Sequence, residues 1–182
     1  REFATTDEGL TTLQEALVGA DVFVGLSKGG MVTGEMVKTM ADRPIIFALA
    51  NPTPEISYEE AKATCPEVLM STGRTDYPNQ INNVLAFPYI FRGALDTHAT
   101  AINGAMELAA TRAIAALAKQ PVPDYVCQAY GAKELAFGSE YFIPKPVEVS
   151  TAVARAAIES GVARHTITDW EAYAEHLTSL LG

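Results

Sequence analysis

The segment from Asp21 to Glu55 reads DVFVGLSKGGMVTGEMVKTMADRPIIFALANPTPE, and it determines the fold expected for this chain. Two continuous apolar runs, 22–26 and 45–50, are typical of strands buried in a parallel sheet. Between them, Thr33 is a suitable N-cap for a short amphipathic helix. Because parallel strands need a crossover connection, this strand–helix–strand order predicts a parallel sheet with helical crossovers.

The flanking sequence extends this pattern on both sides. Residues 13–18 are predicted to form a helix end that stops at Gly19. A further helix is expected near residues 58–64, followed by a third strand at 68–70. The first half of the chain is therefore predicted to be an α/β unit.

The second half has mainly helical patterns. Residues 100–119 form the clearest amphipathic helix, and closing helices are expected at 152–160 and 170–181. The prolines at 144 and 146 are incompatible with a helix and predict an extended segment at 142–146. The expected architecture is therefore a partial parallel α/β sheet followed by C-terminal helices.

Composition and charge exclude several classes of protein. The 182 residues suffice for a core, and the hydrophobic fraction of 48% and charged fraction of 19% are those of a soluble globular protein. The net charge of −9 argues against nucleic acid or anionic membranes as partners. Cys65 and Cys127 lack metal-binding spacing and are expected to be reduced thiols of a cytoplasmic protein.

Three loops are expected to carry the binding site. They follow the three predicted strands at residues 27–30, 51–55 and 72–74. Ligands of open parallel sheets bind beyond the carboxyl ends of the strands, so these loops should lie along one edge. The SKGG loop that begins at Ser27 suits either close approach of a backbone to a cofactor or a plain turn.

Asn51 is the strongest single candidate in these loops. Pro52 favours an extended backbone at Asn51, which would carry the strand to its tip and fix the direction of the amide side chain. A carboxamide both donates and accepts, which suits a carboxylate, a hydroxyl or a ribose. The alternative is a simple Asn-Pro turn. Glu55 is expected to cap the next helix or to interact with its dipole.

The stretch from Ser71 to Asp96, STGRTDYPNQINNVLAFPYIFRGALD, crowds four carboxamides into residues 79–83. They predict a surface that hydrogen-bonds a small polar ligand, with Asn82 or Asn83 touching it while residues 84–88 pack inward. Arg74 is expected either to pair with Asp76 or Asp96, or to bind a carboxylate. Arg92 is similarly ambiguous, and no pair of side chains forms a recognisable acid–base or metal pattern.

Together with NPTPE at residues 51–55, this stretch resembles the malic enzyme family, in particular its shorter bacterial form. The resemblance runs from LQEALVGADVFVGLSKGG to SGVAR and DWEAY. It implies oxidative decarboxylation of malate to pyruvate and CO2 with NAD or NADP, and Mg2+ or Mn2+ at the substrate. It also implies that residues 1–120 are the later half of a Rossmann-like nucleotide-binding domain. Residues 121–182 would be its linker, extended segment and closing helices.

The same resemblance assigns roles to individual residues. Asn51 and Asn82 match the family asparagines that hydrogen-bond malate near the nicotinamide, and Asn83 lines that pocket by adjacency. We therefore expect the amides at positions 51 and 82 to converge on one pocket. The expected cofactor contacts are Gly25, Ser27, Ala50 and Asn51.

Several parts of the family pattern have no counterpart in this chain. These parts are the glycine-rich phosphate loop, the tyrosine and lysine acid–base pair and the acidic metal ligands, all expected upstream of Arg1. No catalytic residue or metal ligand is therefore assigned here, and the isolated chain is expected to be inactive. Activity is expected to require the rest of the malic enzyme subunit, and the complete enzyme is expected to be a homo-oligomer. The alternatives are a non-catalytic nucleotide-binding or assembly module that docks onto a partner chain, and a dehydrogenase that acts on amino acids.

Overall fold

The computed structural model describes residues 9–122, 127, 131–144 and 150–179. Contacts divide the chain into two compact units, Arg1–Ile81 and Asn82–Gly182. Each unit has its own cluster of buried apolar side chains. The division expected at residue 120 concerns the domain of a longer enzyme and stays a prediction.

The first unit is a three-stranded parallel sheet with helices in the connections, which confirms the predicted α/β fold. Its elements are α1 (Leu13–Leu17), β1 (Val22–Gly25), α2 (Gly34–Lys38), β2 (Ile45–Ala48), α3 (Tyr58–Thr64) and β3 (Leu69–Thr72). The strands lie in the order β1-β2-β3, and the register places Val22 beside Ile45 and Ile45 beside Leu69.

Local sequence accounts for these boundaries. The hydroxyl of Thr33 accepts from the N–H of Met36 at 3.3 Å, which confirms the predicted cap of α2. Thr12 and Ser57 cap α1 and α3 in the same way. Gly19 ends α1 with a φ of +70°, a conformation that glycine adopts without steric cost.

The two faces of the sheet differ in burial. On one face Phe23, Ile46 and Met70 are buried in the first core, together with Val37 of α2 and Ala61 of α3. On the other face of β1, Val22 and Val24 are exposed, Val24 by 56%. The buried face fixes the strands against α2 and α3, and thereby fixes the loops that leave their carboxyl ends.

Two strand ends differ from the prediction. β2 ends at Ala48 rather than at residue 50, because the N–H of Ala50 turns to the side chain of Glu55 and leaves the strand. β3 continues to Thr72 rather than ending at Met70, and its residues Ser71 and Thr72 are buried.

The second unit is helical in its described part. It contains a 3₁₀ turn at Asn83–Leu85 and the helices α4 (Phe87–Asp96), α5 (Gly104–Leu117), α6 (Ser150–Glu159) and α7 (Trp170–Ser179). Its core joins Ala94 of α4, Met106 and Ala110 of α5, and Val153 and Ala157 of α6. The small alanine side chains allow these helices to pack closely.

Most helices of the second unit were predicted, with shifted ends. α5 begins at Gly104 rather than residue 100 because Asn103 caps it. Residues 180 and 181 of the helix predicted at 170–181 lie outside the described residues. The same holds for Lys145 and Pro146 of the predicted extended segment. The expected inward packing of residues 84–88 is wrong, since Phe87 is 63% exposed on α4.

Among the described residues, no helix combines the length and apolar character that crossing a bilayer requires.

Candidate functional site

The loops that follow β1, β2 and β3 meet at one edge of the sheet, as their positions after parallel strands predict. The N–H of Gly30 donates to the carbonyl of Pro54 at 3.1 Å, and the N–H of Val32 donates to the carbonyl of Glu55 at 3.0 Å. On the other side, a Cβ built on Gly73 would lie 3.2 Å from Nδ2 of Asn51. The middle loop therefore touches both of its neighbours.

Glu55 joins the first two of these loops. Its side chain is fully buried, and Oε1 accepts from the N–H of Ser27 at 2.8 Å and from its hydroxyl at 3.1 Å. Oε2 accepts from the N–H of Ala50 at 3.1 Å. The expectation that Glu55 caps α3 is wrong, because Ser57 performs that role and leaves the carboxylate free to turn inward.

The hydrogen bonds determine the charge of this carboxylate. Burial by itself opposes ionisation. Donation from the backbone N–H groups of Ser27, Ala50 and Glu55 itself and from the Ser27 hydroxyl outweighs it, so that the pKa of Glu55 lies below its ordinary value. The group is therefore a carboxylate at neutral pH. It places a fixed negative charge between the two loops.

Gly25 allows close packing around this carboxylate, and Gly29 allows the first loop to approach Thr53 closely. A Cβ on Gly25 would lie 2.5 Å from Cδ of Glu55, and one on Gly29 would lie 2.8 Å from the Cβ of Thr53. Such distances leave no room for a larger residue. Gly25 is therefore explained by its contact with Glu55, while its predicted contact with a cofactor stays a prediction.

Asn51 lies at the exposed edge of the site. Its peptide bond with Pro52 is cis, and it occupies a bend three residues after the end of β2. Because β2 ends at Ala48, the expectation that the strand continues to its tip at Asn51 is wrong. Within the part of the chain that the structure describes, its carboxamide has no hydrogen-bond partner, and it faces Gly73. Ala50, directly before it, is buried.

The four carboxamides at residues 79–83 divide into two pairs. Asn79 is only 3% exposed and donates to the carbonyl of Met70 at 3.3 Å, and Gln80 donates to the carbonyl of Gly73 at 3.3 Å. These two fasten the loop after β3 to its strand. The prediction of a ligand-binding surface built from all four is therefore wrong for this pair.

Asn82 and Asn83 form the other pair, and both are exposed. Oδ1 of Asn82 accepts from the N–H of Val84 at 3.1 Å and so caps the 3₁₀ turn. Both residues belong to the second unit, whereas Asn51 belongs to the first. The expected convergence of the amides at 51 and 82 stays a prediction.

The two candidate arginines form local ion pairs. Nη2 of Arg74 lies 2.6 Å from Oδ2 of Asp76, and this bond lowers the pKa of Asp76. Nε of Arg92 donates to Asp96 at 2.7 Å, and Asp96 also accepts from the hydroxyl of Tyr173 at 2.6 Å. Of the two alternatives for Arg74, the structure favours the ion pair.

Two cavities in the described part of the second unit are lined by residues other than the predicted site residues. One of about 530 Å³ lies in the second unit around Lys119, Gln120 and Phe137, and one of about 510 Å³ lies between Phe91 and Arg164. Among the described residues, no three His, Cys, Asp or Glu side chains are grouped as a metal site.

Comparisons with known proteins agree with this architecture. Residues 2–126 match the family described as malic enzyme, NAD binding domain. The NADP-dependent malic enzyme of Haemophilus influenzae is 51% identical over the whole chain, and that of Escherichia coli is 52% identical over 98% of it. The crystal structure of malic enzyme from Pyrococcus horikoshii superposes with a TM-score of 0.75 at 39% identity, over 92% of this chain and 36% of that one.

These matches cover the chain but only part of each relative. The chain spans about a quarter of the two curated relatives, 25% and 24% of their lengths. The similarity over the whole chain and the match of residues 2–126 establish that the chain belongs to the malic enzyme family.

Proposed function

We propose that this chain provides part of the nucleotide-binding site and malate site of an NAD(P)-dependent malic enzyme, which oxidatively decarboxylates malate to pyruvate and CO2. The observation that carries the proposal is the NPTPE loop at the sheet edge. It presents the carboxamide of Asn51, without a described partner, beside the loops that follow β1 and β3. Ligands of parallel sheets bind at such an edge.

Asn51 has the chemistry that malate requires. Its carboxamide can donate to a carboxylate and accept from a hydroxyl, so it can fix the orientation of C2 relative to the nicotinamide. By family resemblance, Asn82 contributes a second amide and Asn83 lines the same pocket. The exposure of all three side chains supports this assignment.

The loop after β1 suits the dinucleotide. Ser27 is exposed, and a Cβ built on Gly30 would meet no described atom within 4 Å, so a ligand can approach the backbone there. Ser27, Ala50 and Gly25 are proposed as cofactor contacts together with Asn51. NAD or NADP would supply the hydride acceptor for the oxidation.

Acid–base groups and metal ligands are proposed to come from the rest of a full-length enzyme. The described residues do not fit Mg2+ or Mn2+, since they contain no cluster of suitable side chains. We therefore propose that this chain contributes to binding and orienting malate, and that turnover depends on the rest of the enzyme. The complete enzyme is proposed to be a cytoplasmic homo-oligomer.

The substitution Asn51→Ala tests the proposal in a full-length malic enzyme that carries this chain as its matching quarter. We expect kcat/KM for malate to fall. The loss of transition-state binding should be about 1–3 kcal/mol, the usual cost of an unpaired polar partner. Steady-state kinetics with malate as the varied substrate measures the loss.

Asn103→Ala is the matched control for this substitution. Asn103 is also an asparagine, but it belongs to the second unit, where its carboxamide caps α5. Its replacement should lower stability and leave the malate kinetics unchanged. Unaltered kinetics for Asn51→Ala would remove Asn51 from the malate site.

A further inference from the structure

The side chain of Glu55 closes its own loop onto the end of β2. Oε2 of Glu55 accepts from the N–H of Ala50, five residues earlier, at 3.1 Å. Between these two residues the backbone contains Pro52 and Pro54, whose φ angles are fixed by their rings. Asn51 therefore lies inside a short loop that is pinned at both ends, while its own carboxamide remains exposed.

The other oxygen of the same carboxylate binds the loop that follows β1. Oε1 accepts from both the N–H and the hydroxyl of Ser27, at 2.8 and 3.1 Å. Donors from both loops thus converge on one group that only accepts when ionised. Gly25 leaves the space for this, because a Cβ there would collide with the carboxylate.

We propose that Glu55 is a positioning residue for the malate site, which orders the backbone beside Asn51 and affects the reaction through Asn51. This inference rests on the proposed function. Glu55 is fully buried, so it acts by fixing the loop and not by touching malate itself. An ordered loop holds a substrate-binding amide in one place, and a displacement of about 1 Å can cost about 100-fold in rate.

The chemistry of the site makes Glu55→Gln a sharp test. Glutamine has nearly the same shape, but one of its two terminal atoms is an NH2 group that donates. Whichever way the amide turns, this donor faces either the N–H of Ala50 or the donors of Ser27. The substitution therefore removes the hydrogen bonds from either Ala50 or Ser27, while the volume of the side chain is preserved.

The experiment is a double-mutant cycle in a full-length malic enzyme that carries this chain. We expect Glu55→Gln to lower kcat/KM for malate by about 10- to 100-fold. If Glu55 acts through Asn51, the variant that combines Glu55→Gln with Asn51→Ala should be no worse than Asn51→Ala alone, within about a factor of two. Fully multiplicative losses would overturn the inference, because a general structural defect is independent of Asn51.

Glu60→Gln is the matched structural control. Oε1 of Glu60 accepts from the N–H of Gly34 at 2.9 Å and so joins α3 to α2, away from the NPTPE loop. It should change the melting temperature without changing kcat/KM for malate. Should Glu55→Gln fail to fold, Glu55→Asp keeps the charge but shortens the side chain by one methylene, and the same cycle with Asn51→Ala applies to it.

The outcomes separate this inference from the proposed function. If Asn51→Ala leaves malate kinetics intact, the role of Asn51 is wrong and the role of Glu55 is wrong with it. If Asn51→Ala impairs the enzyme but Glu55→Gln impairs it independently or not at all, only the positioning role of Glu55 is overturned.

Discussion

Glu55 links stability to pH through its lowered pKa. A carboxyl whose pKa is lower in the folded state than in the unfolded one stabilises the fold above its unfolded pKa, which is about 4.3 for glutamate. That contribution is lost as pH falls from about 4.3 through the lowered folded-state pKa of Glu55. The carboxylate of Glu55 therefore stabilises the edge of the sheet at neutral pH and not in acid.

The substitution Glu55→Gln should accordingly remove part of the acid sensitivity of the chain. At neutral pH it is expected to lower the free energy of unfolding by about 1–3 kcal/mol, the cost of a buried donor without an acceptor. The difference from the wild type should shrink as pH falls below about 4.3. Urea unfolding at a series of pH values measures both effects, and a difference that stays constant with pH would contradict the assignment.

Other carboxylates have lowered pKa values as well, and they set the background for this measurement. A hydrogen bond from Arg74 lowers the pKa of Asp76, and one from Tyr77 lowers that of Glu59. Both groups are solvent-exposed and contribute little to stability. The comparison of Glu55→Gln with Glu60→Gln isolates the buried carboxylate, because the same charge is removed in both variants.

Among the helices, α5 shows how one side chain sets the start of an element. Oδ1 of Asn103 accepts from the N–H of Met106 at 3.1 Å, and its Nδ2 donates to the hydroxyl of Ser160 at 2.9 Å. The same carboxamide therefore caps α5 and joins it to the end of α6. Loss of such a cap usually costs about 0.5–2 kcal/mol.

We predict that Asn103→Ala lowers the free energy of unfolding by about 1–2 kcal/mol, because the cap and the bond to Ser160 are lost together. Thr111→Ala is the control on the same helix. Thr111 is exposed and its hydroxyl donates only to the carbonyl of Glu107, one turn earlier, so alanine should be neutral or stabilising there. Chemical denaturation measures the free energy of unfolding of both variants. Equal losses of this free energy in the two variants would refute the capping role of Asn103.

Local signals explain which elements the sequence could predict. The apolar runs that became β1 and β2, the cap at Thr33 and the stop at Gly19 all act over a few residues. The parallel topology then brought the three loops to one edge without further information. The partner of Glu55 could not be predicted, since Ser27 is 28 residues away and a glutamate three residues before a helix equally suits a dipole interaction.

The loop after β3 illustrates the same limit. Four carboxamides in five positions indicate polar function of some kind, but the pattern does not distinguish loop anchors from ligand contacts. Asn79 has a φ of +54°, a conformation that asparagine tolerates better than most residues, and this local preference is what places its side chain against β3. Only Asn82 and Asn83 remain exposed.

Among the residues that the structure describes, two clusters of buried apolar side chains share no residues. The first lies between Leu17 and Met70, and the second joins α4, α5 and α6. Ile46 and Met106 are fully buried members of the first and second cluster, respectively. Each is large, so its truncation to alanine leaves a cavity that costs about 2–5 kcal/mol.

We predict that Ile46→Ala and Met106→Ala destabilise different parts of the chain. Because each substitution removes contacts within one cluster, Ile46→Ala should accelerate amide hydrogen exchange in β1, β2 and β3 far more than in α5. Met106→Ala should do the reverse, with α5 and α6 as the affected elements. Exchange measured by mass spectrometry on peptides from each element tests this, and Val22→Ala, at an exposed site on β1, controls for substitution on a strand without a core cavity. Equal acceleration in all elements by either core variant would show that the two clusters unfold as one cooperative unit.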